Sequence, residues 1–220
     1  MLKSSNFSQI SAHSFIDDVL VKKIKVKYCY VGDDFRFGKD RLGDCDMLQE
    51  HSIGHGFTVE RVASVSIDNK RVSSSAIRKL LSLGDFQTAE KLLGRPFAIS
   101  GRVAHGDKQG RTIGFPTANI SIRRNLSPVL GVFSVLIKIN NINYKGVCNV
   151  GKRPTLGGLK VLLEVFIFDF NQEIYGGYVT VFFKQKCREE IKFNSLEELK
   201  NQIKEDVKDS KQYFKDARIN

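Results

Sequence analysis

The periodicity of apolar residues changes near Arg95–Pro96, and this change constrains the fold more than any other feature of the chain. Upstream, apolar residues recur at helical spacing after the serines at 73–75, and glycines interrupt and end the pattern. Downstream, short apolar runs alternate with turn residues, which is typical of antiparallel β-strands. The sequence therefore predicts two domains of different class, residues 1–95 and residues 96–220.

The first segment has the pattern of a mixed α/β unit. Strands are predicted over 25–31 and 58–65, with a polar loop that contains His51–His55 before the second strand. Helices are predicted to begin at Ser73–Ser75, because serine hydroxyls accept hydrogen bonds from the free N–H groups at a helix start, and again over 86–93.

The second segment is predicted to be a closed or nearly closed antiparallel barrel followed by a helix. Asn140-Asn141 suits a tight turn, because asparagine tolerates positive φ. The final helix, over 195–217, begins with a Ser195/Glu198 capping pair and carries an apolar stripe that includes Leu199 and Ile203. The apolar pattern marks five strands, at residues 97–103, 132–139, 144–150, 161–168 and 178–183.

Composition narrows the class of protein. Four cysteines are far apart and form no Cys-x-x-Cys pair, which argues against a zinc site of that type and against a disulfide framework. The first residues are polar, and the most apolar run, 161–168, contains Glu164 and is too short to span a bilayer. We expect a soluble cytoplasmic protein without a membrane partner.

The formal net charge of +11 attracts phosphates, whether on nucleotides or on nucleic acid. The basic residues are scattered, and no aromatic motif of the RNA-binding type stands on a predicted strand. We therefore expect no nucleic-acid partner, and retain a barrel-type RNA-binding protein only as a weaker alternative.

A glycine-rich segment precedes the second predicted strand of the barrel half. Gly106, Gly110 and Gly114 allow the backbone to approach a ligand closely, and Lys108 and Arg111 could meet phosphate oxygens. The segment is not a Walker loop, and taken alone it is more often a surface turn.

Three oxygen-bearing side chains strengthen the phosphate interpretation. Thr117 and Asn119, directly after Pro116, offer a hydroxyl and an amide oxygen, which are donors suited to Mg²⁺. Glu164 is a lone carboxylate in an apolar strand, which is costly unless the carboxylate is paired or used. The alternatives are a polar turn for the first two residues and a glutamate at the water-facing rim for the third.

These residues carry a resemblance. The run 110–119, Gly-Arg-Thr-Ile-Gly-Phe-Pro-Thr-Ala-Asn, resembles the signature of riboflavin kinases, and the runs 146–155, 163–170 and 188–193 continue the match in the family's order. The resemblance covers nearly all of residues 97–203.

The resemblance implies a six-stranded barrel that transfers the γ-phosphate of ATP to riboflavin, giving FMN. It implies that Glu164 is the base, that Thr117 binds Mg²⁺ with Asn119 beside it, and that the loop 106–114 covers the nucleotide. It implies that Arg153, Thr155 and Arg188 lie near the flavin, and that Pro116 and Asn149 also belong to the binding residues. Mn²⁺ and Zn²⁺ remain open as the metal, and the oligomeric state is open.

The first segment resembles the FMN adenylyltransferase domain of bacterial bifunctional FAD synthetases. The runs 30–38 and 71–78 carry this similarity, and hydroxyls with an arginine at a helix start can bind phosphates, although the serines could equally be plain caps. The residues involved are Asp33, Asp34, Phe35, Phe37, Ser73, Ser74, Ser75 and Arg78.

That family's His-x-Gly-His turn is missing, since His51-Ser52-Ile53-Gly54-His55 has one residue too many and follows the flavin loop. We therefore expect an N-terminally truncated FAD synthetase whose adenylyl transfer is absent or weak and whose first segment is less stable than the barrel. The expected class is α+β, with a partial α/β, Rossmann-like nucleotidyltransferase segment before the barrel. The expected substrates are riboflavin/FMN and ATP, and a non-catalytic flavin or nucleotide binder is the alternative.

Overall fold

The computed structural model describes residues 7–106, 109–122, 127–155 and 158–218, without the side chains at 70, 109, 111, 153–155 and 158–160. The chain forms two compact units, Met1–Arg71 and Val72–Asn220. The predicted domain boundary near Arg95 lies inside the second unit and remains a prediction.

Helices and a small parallel sheet make up the first unit. Helix α1 (Ala12–Ser14) continues as a π-helix (Phe15–Ile24), which ends at Lys25 with a left-handed φ of 55°. Because the helix continues to Ile24, the first strand begins at Tyr28 and not at residue 25 as predicted. The elements that follow are β1 (Tyr28–Gly32), a 3₁₀ turn (Lys39–Arg41), α2 (Cys45–His55), β2 (Thr58–Val62), β3 (Ser66–Ile67) and β4 (Lys70–Arg71), with β1 and β2 paired in parallel.

The loop predicted around His51–His55 is wrong, because these residues form the last turns of α2. Asp44 begins this helix by accepting a hydrogen bond from the Met47 N–H at 3.0 Å. Leu48 fixes the helix by burial in the core of the unit, with Ile16 and Phe57 in the same cluster. The apolar stripe is narrow, so the sequence pattern alone did not reveal it.

A helical hairpin opens the second unit, and its two helices begin where the sequence predicted helices. Helix α3 (Ser74–Leu83) begins after Ser73, whose hydroxyl accepts a hydrogen bond from the Ala76 N–H, and helix α4 (Phe86–Leu93) ends at Gly94 with a φ of 67°. Phe86 enters the core of the barrel and contacts Phe133 and Phe183, each at a ring-centroid distance of 5.8 Å. The hairpin therefore packs with the barrel.

Six antiparallel strands follow: β5 (Ala98–Ala104), β6 (Thr117–Ser121), β7 (Gly131–Ile139), β8 (Ile142–Thr155), β9 (Gly158–Ile167) and β10 (Tyr178–Arg188). They close into a barrel in the order β10-β5-β6-β9-β8-β7. Closure leaves no free sheet edge. The sequence pattern missed β6, because its five residues follow a proline and alternate poorly. Asn140 and Asn141 form the predicted turn, with φ of 47° and 68°. A short helix, α5 (Gln109–Thr112), precedes β6.

The C-terminal helix α6 (Leu196–Asp216) packs on the outer face of the barrel through Phe214, which is buried against Phe168 and Val147. Ser195 caps the helix as predicted, and the Glu198 carboxylate accepts a hydrogen bond from the Asn194 N–H. The predicted α+β class, with a six-stranded antiparallel barrel and a C-terminal helix, is confirmed. Among the described residues, no helix is long and apolar enough to cross a membrane.

Candidate active site

Three polar side chains form a row across neighbouring strands of the barrel. Glu164 on β9 is paired in register with Asn119 on β6 on one side and with Asn149 on β8 on the other. Paired residues of adjacent strands project from the same face of the sheet with Cβ atoms about 5 Å apart. The row therefore brings one carboxylate between two carboxamides.

The row lies on the outer face of the barrel. Leu163 and Val165, on either side of Glu164, are fully buried in the barrel interior, so alternation turns Glu164 and Phe166 outward. Thr117 is paired with Phe166, one step along the same face. Thr117, Asn119 and Glu164, which the sequence singled out separately, are thus brought together by β6 and β9.

A cavity of about 190 Å³ lies against this face and beneath the segment that leads into α6. Its polar lining includes Thr117, Asn149, Glu164 and Arg188. The Asn149 Oδ1 atom is buried and has no hydrogen-bond partner among the described residues, so it can accept one from a ligand. The apolar lining includes Phe115, Phe166, Phe193, Leu199 and Ile203.

A second cavity, of about 590 Å³, opens on the other side of Thr117. Its lining includes Pro116, Phe170 and Tyr175, and the Tyr175 ring stacks on His105 with centroids 4.0 Å apart. Thr117 borders both cavities, whereas Glu164 borders only the first. Two ligands bound in the two cavities would therefore meet at Thr117.

The glycine-rich segment packs its backbone directly on the polar row. A Cβ atom at Gly106 would collide with the carboxamide of Asn119, and one at Gly110 would collide with the carbonyl of Phe115 and approach the Thr117 hydroxyl. Gly114 has a φ of 89°, which favours glycine. Larger residues at the first two positions would push the loop away from the site.

Arg188 at the end of β10 is held by α6. Its guanidinium donates to both carboxylate oxygens of Asp206, Nε at 2.8 Å and Nη2 at 2.7 Å, and lies over the Phe193 ring. Asp206 also accepts a hydrogen bond from Gln202, at 3.0 Å. This bidentate pair fixes the cation at the wall of the first cavity.

Four predicted site residues are not placed by side chain. Lys108 lies outside the described residues, and the side chains of Arg111, Arg153 and Thr155 are also outside the described part. The contribution of α6 to the cavity was missed from the sequence. Its signal was the stripe containing Leu199 and Ile203, which reads equally well as ordinary packing.

The residues proposed for adenylyl transfer fall into both compact units. In the first, Asp33 accepts hydrogen bonds from Ser64 and Arg71, and the Ser64 hydroxyl is the main reason that its pKa is lowered. Asp34 forms an ion pair with Arg71 at 2.7 Å. Phe35 and Phe37 stack with centroids 5.6 Å apart.

In the second unit, Ser73 caps α3, Ser74 and Ser75 lie in the exposed first turn, and Arg78 is exposed one turn later. The Ser73 hydroxyl is engaged as the cap of the helix, as the plain-cap alternative requires.

Comparison with known proteins gives two family matches: a riboflavin kinase family over residues 93–214 and an FAD synthetase family over residues 3–76. The bifunctional riboflavin kinase/FMN adenylyltransferase of Haemophilus influenzae is 49% identical over 209 residues, which cover 94% of this chain and 68% of that protein. The chain belongs to the bifunctional riboflavin kinase/FMN adenylyltransferase family.

Two further proteins are similar to this chain over more than nine tenths of its length. The Escherichia coli K12 protein of the same name is 44% identical, with 94% of this chain and 67% of the relative covered. A solved structure described as a macrolide-efflux protein from Streptococcus pneumoniae is 35% identical with a TM-score of 0.62, covering 92% of this chain and 66% of that one. The chain spans about two thirds of the length of the curated relatives it matches.

Proposed function

We propose that the barrel unit is an ATP-dependent riboflavin kinase. The oxygen of the terminal ribityl hydroxyl of riboflavin attacks the γ-phosphorus of ATP, the bond from that phosphorus to the β–γ bridging oxygen breaks, and FMN and ADP result. The observation that carries this proposal is that Thr117 borders two cavities, with Glu164 in only one of them. A two-substrate transfer needs such a junction.

Glu164 is proposed to orient the riboflavin hydroxyl and accept its proton. The carboxylate borders the smaller cavity, which also has the apolar surface suited to a flavin ring. Phosphoryl transfer depends mostly on positioning and charge neutralisation, so the general base is expected to contribute about 10²–10⁴-fold in rate.

The oxygen atoms of Thr117 and Asn119 on β6 suit a divalent metal ion, and we propose Mg²⁺. The Thr117 hydroxyl and the Asn119 carboxamide offer oxygen donors, and Asn119 is buried beneath the Gly106 backbone, which fixes its orientation. Mg²⁺ prefers a few protein oxygens together with substrate phosphates. When bound, the ion would neutralise phosphate charge, and Thr117 and Asn119 would hold it.

The glycine-rich segment is proposed to cover the phosphates of ATP, with Gly106, Gly110 and Gly114 allowing close backbone approach and Lys108 and Arg111 supplying positive charge. Asn149, Arg153, Thr155 and Arg188 are proposed to contact the flavin. The smaller cavity lies below the roughly 300–1,000 Å³ of typical ligand clefts, so we expect the segment before α6 to move when riboflavin enters.

The test is to incubate the protein with riboflavin, ATP and Mg²⁺ and to separate FMN from FAD by chromatography. We expect FMN, and we expect Glu164→Gln to lower kcat by about 10²–10⁴-fold with little change in the KM of ATP. Glu90→Gln is the matched control, because Glu90 is exposed on α4 and borders neither cavity. Full kinase rate in Glu164→Gln would remove the proposed base, and riboflavin binding without FMN formation would favour a non-catalytic binder.

The same assay addresses adenylyl transfer. We propose that FAD formation is weak or absent in this chain, because the His-x-Gly-His pattern does not occur in its sequence. FAD at a rate similar to that of FMN would contradict this. We also propose a cytoplasmic location and no nucleic-acid partner, and tight, salt-sensitive RNA binding would overturn the second point.

A further inference from the structure

Three of the four histidines of the chain, His13, His51 and His55, lie together in the first compact unit. His51 and His55 are four residues apart on α2, so their side chains share one face of the helix. Asp17 on the π-helix meets that face, with its Oδ1 atom 3.3 Å from His55 Nε2.

The geometry is that of a convergent ligand set. One carboxylate oxygen of Asp17 and one ring nitrogen from each of His51 and His55 all lie within 4.8 Å of one another. Ligands of a tetrahedral zinc ion are about 3.4 Å apart, given zinc–nitrogen bonds of about 2.0–2.1 Å. Small rotations of exposed or half-buried side chains are enough to close this difference.

The Asp17 carboxylate has a local environment that favours a bound cation. Its Oδ1 atom is buried, and although His55 Nε2 is near, the pair is not aligned as a hydrogen bond, so Oδ1 has no hydrogen-bond partner among the described residues. The neighbouring Asp18 is already paired with Lys22 at 2.9 Å. A bound cation would satisfy the buried oxygen.

The imidazoles are arranged in support of this role. The rings of His51 and His55 are nearly parallel, with an interplanar angle of 8° and centroids 6.3 Å apart. His13 packs edge-on against His51 with centroids 5.2 Å apart, which restricts rotation of the His51 ring. These rings on successive turns of α2 each bring one nitrogen within 4.8 Å of the Asp17 oxygen.

We propose that Asp17, His51 and His55 bind a divalent first-row transition metal ion that links the π-helix to α2. Two imidazoles and one carboxylate suit Zn²⁺, Co²⁺ or Fe²⁺, with water in the remaining positions, whereas Mg²⁺ and Ca²⁺ prefer oxygen ligands. The proposed Mg²⁺ position has oxygen donors only and belongs to the other compact unit.

The test uses the full chain, freed of metals by a chelator, and measures Zn²⁺ binding by calorimetry in excess Mg²⁺. We expect one Zn²⁺ per chain, with the affinity lowered at least about 10–100-fold in the double variant H51Q/H55Q and in Asp17→Asn. His105→Gln is the matched control, because His105 is the histidine outside the cluster, and it should bind Zn²⁺ as the unchanged chain does. Circular dichroism verifies folding, and Asp17→Asn keeps the test decisive if the double variant misfolds.

Two further readouts identify the ligands and the place of binding. Co²⁺ should give visible d–d bands without thiolate charge transfer, because no cysteine belongs to the set. Zn²⁺ should slow hydrogen exchange in the π-helix and α2. Absence of Zn²⁺ binding, equal binding in the variants, or a thiolate band would overturn the proposal and leave Asp17 and His55 as an ordinary ion pair.

Discussion

The two compact units reach their folds by different means. The barrel pairs every strand on both sides and buries a continuous core that the α3–α4 hairpin joins. The first unit has a parallel sheet of only two strands, and Tyr28 and Tyr30 on one of its faces are 69% and 64% exposed. Parallel sheets are normally covered on both faces, so this unit gains less from apolar burial.

The difference indicates that the barrel is the more stable of the two units. The core cluster of the first unit is less than half the size of the barrel cluster among the described residues. Chain entropy must be offset residue by residue, so a smaller core leaves a smaller margin. We expect limited proteolysis to cut the first unit before the barrel, and the opposite order would contradict this comparison.

The largest effect is expected from Phe133→Ala in the barrel. Phe133 is fully buried and contacts Phe86 and Phe183, so its truncation should lower the free energy of unfolding of the barrel by about 3–5 kcal/mol. Denaturant unfolding, followed by hydrogen exchange in each unit, measures the loss. Leu48→Ala is the matched change in the first unit, and we expect it to abolish protection there altogether.

The outcome for Leu48→Ala distinguishes two explanations. If the first unit remains protected despite losing about 2–5 kcal/mol, its margin is as large as that of the barrel and the comparison fails. If protection disappears only in the first unit, the exposed parallel sheet and the small core are the reason.

A smaller effect is expected from the ion pairs, which also differ between the units. Asp206 is 7% exposed and Arg188 is 21% exposed, whereas Arg71 and Asp34 are 49% and 67% exposed. Asp206→Asn should destabilise the docking of α6 by about 2–4 kcal/mol, since it leaves a half-buried guanidinium poorly paired. Asp34→Asn should change stability by no more than about 1 kcal/mol.

The measurement is urea unfolding of both variants, with riboflavin affinity as a second readout for Asp206→Asn. Because Arg188 borders the smaller cavity, loosening α6 should weaken riboflavin binding as well as stability. Equal losses of stability in the two variants would show that burial does not separate these pairs.

Much of the barrel could be predicted from local pattern. Strands with an apolar run, the Asn140-Asn141 turn and the Ser195 cap each carry their structure in a few adjacent residues. Strand β6 could not be read in this way, since Thr117 and Asn119 are polar and their burial comes from β9 and the Gly106 backbone. Helix α2 was missed for a related reason, because its one apolar face is completed by residues distant in sequence.

The site was predictable in its parts but not in its assembly. Glu164 stood out as a carboxylate in an apolar strand, and its place between Asn119 and Asn149 depends on the pairing of three strands. The position of Thr117 at the border of both cavities likewise depends on tertiary structure. The contribution of Asp206 had no local signal, because a charged residue in an exposed helix is ordinary.

The smallest effect concerns the dependence of stability on pH, through a buried thiol in the barrel and a hydrogen-bonded carboxylate in the first unit. Burial raises the pKa of the Cys148 thiol in the barrel well above its usual value. The contribution of the neutral thiol to the free energy of unfolding is complete below the pKa of an unfolded thiol, about 8.5. It is lost as pH rises above that value towards the raised folded pKa, by at most about 1.4 kcal/mol per pH unit. Cys148→Ala should reduce this alkaline slope, to which Cys187 and Tyr213 also contribute because burial raises their pKa values as well.

In the first unit the hydrogen bond from the Ser64 hydroxyl lowers the pKa of Asp33. The associated stability is present above the pKa of an unfolded aspartate, about 3.9, and is lost as pH falls through the lower folded pKa. Hydrogen exchange across pH should therefore show the first unit weakening in acid as Asp33 is protonated, and the barrel weakening in alkali as Cys148 ionises. Burial also raises the pKa of the Cys29 thiol, so a smaller alkaline loss is expected in the first unit as well. Ser64→Ala should reduce the acid sensitivity without altering the alkaline response of the barrel, and a change in both would mean that the two units do not titrate separately.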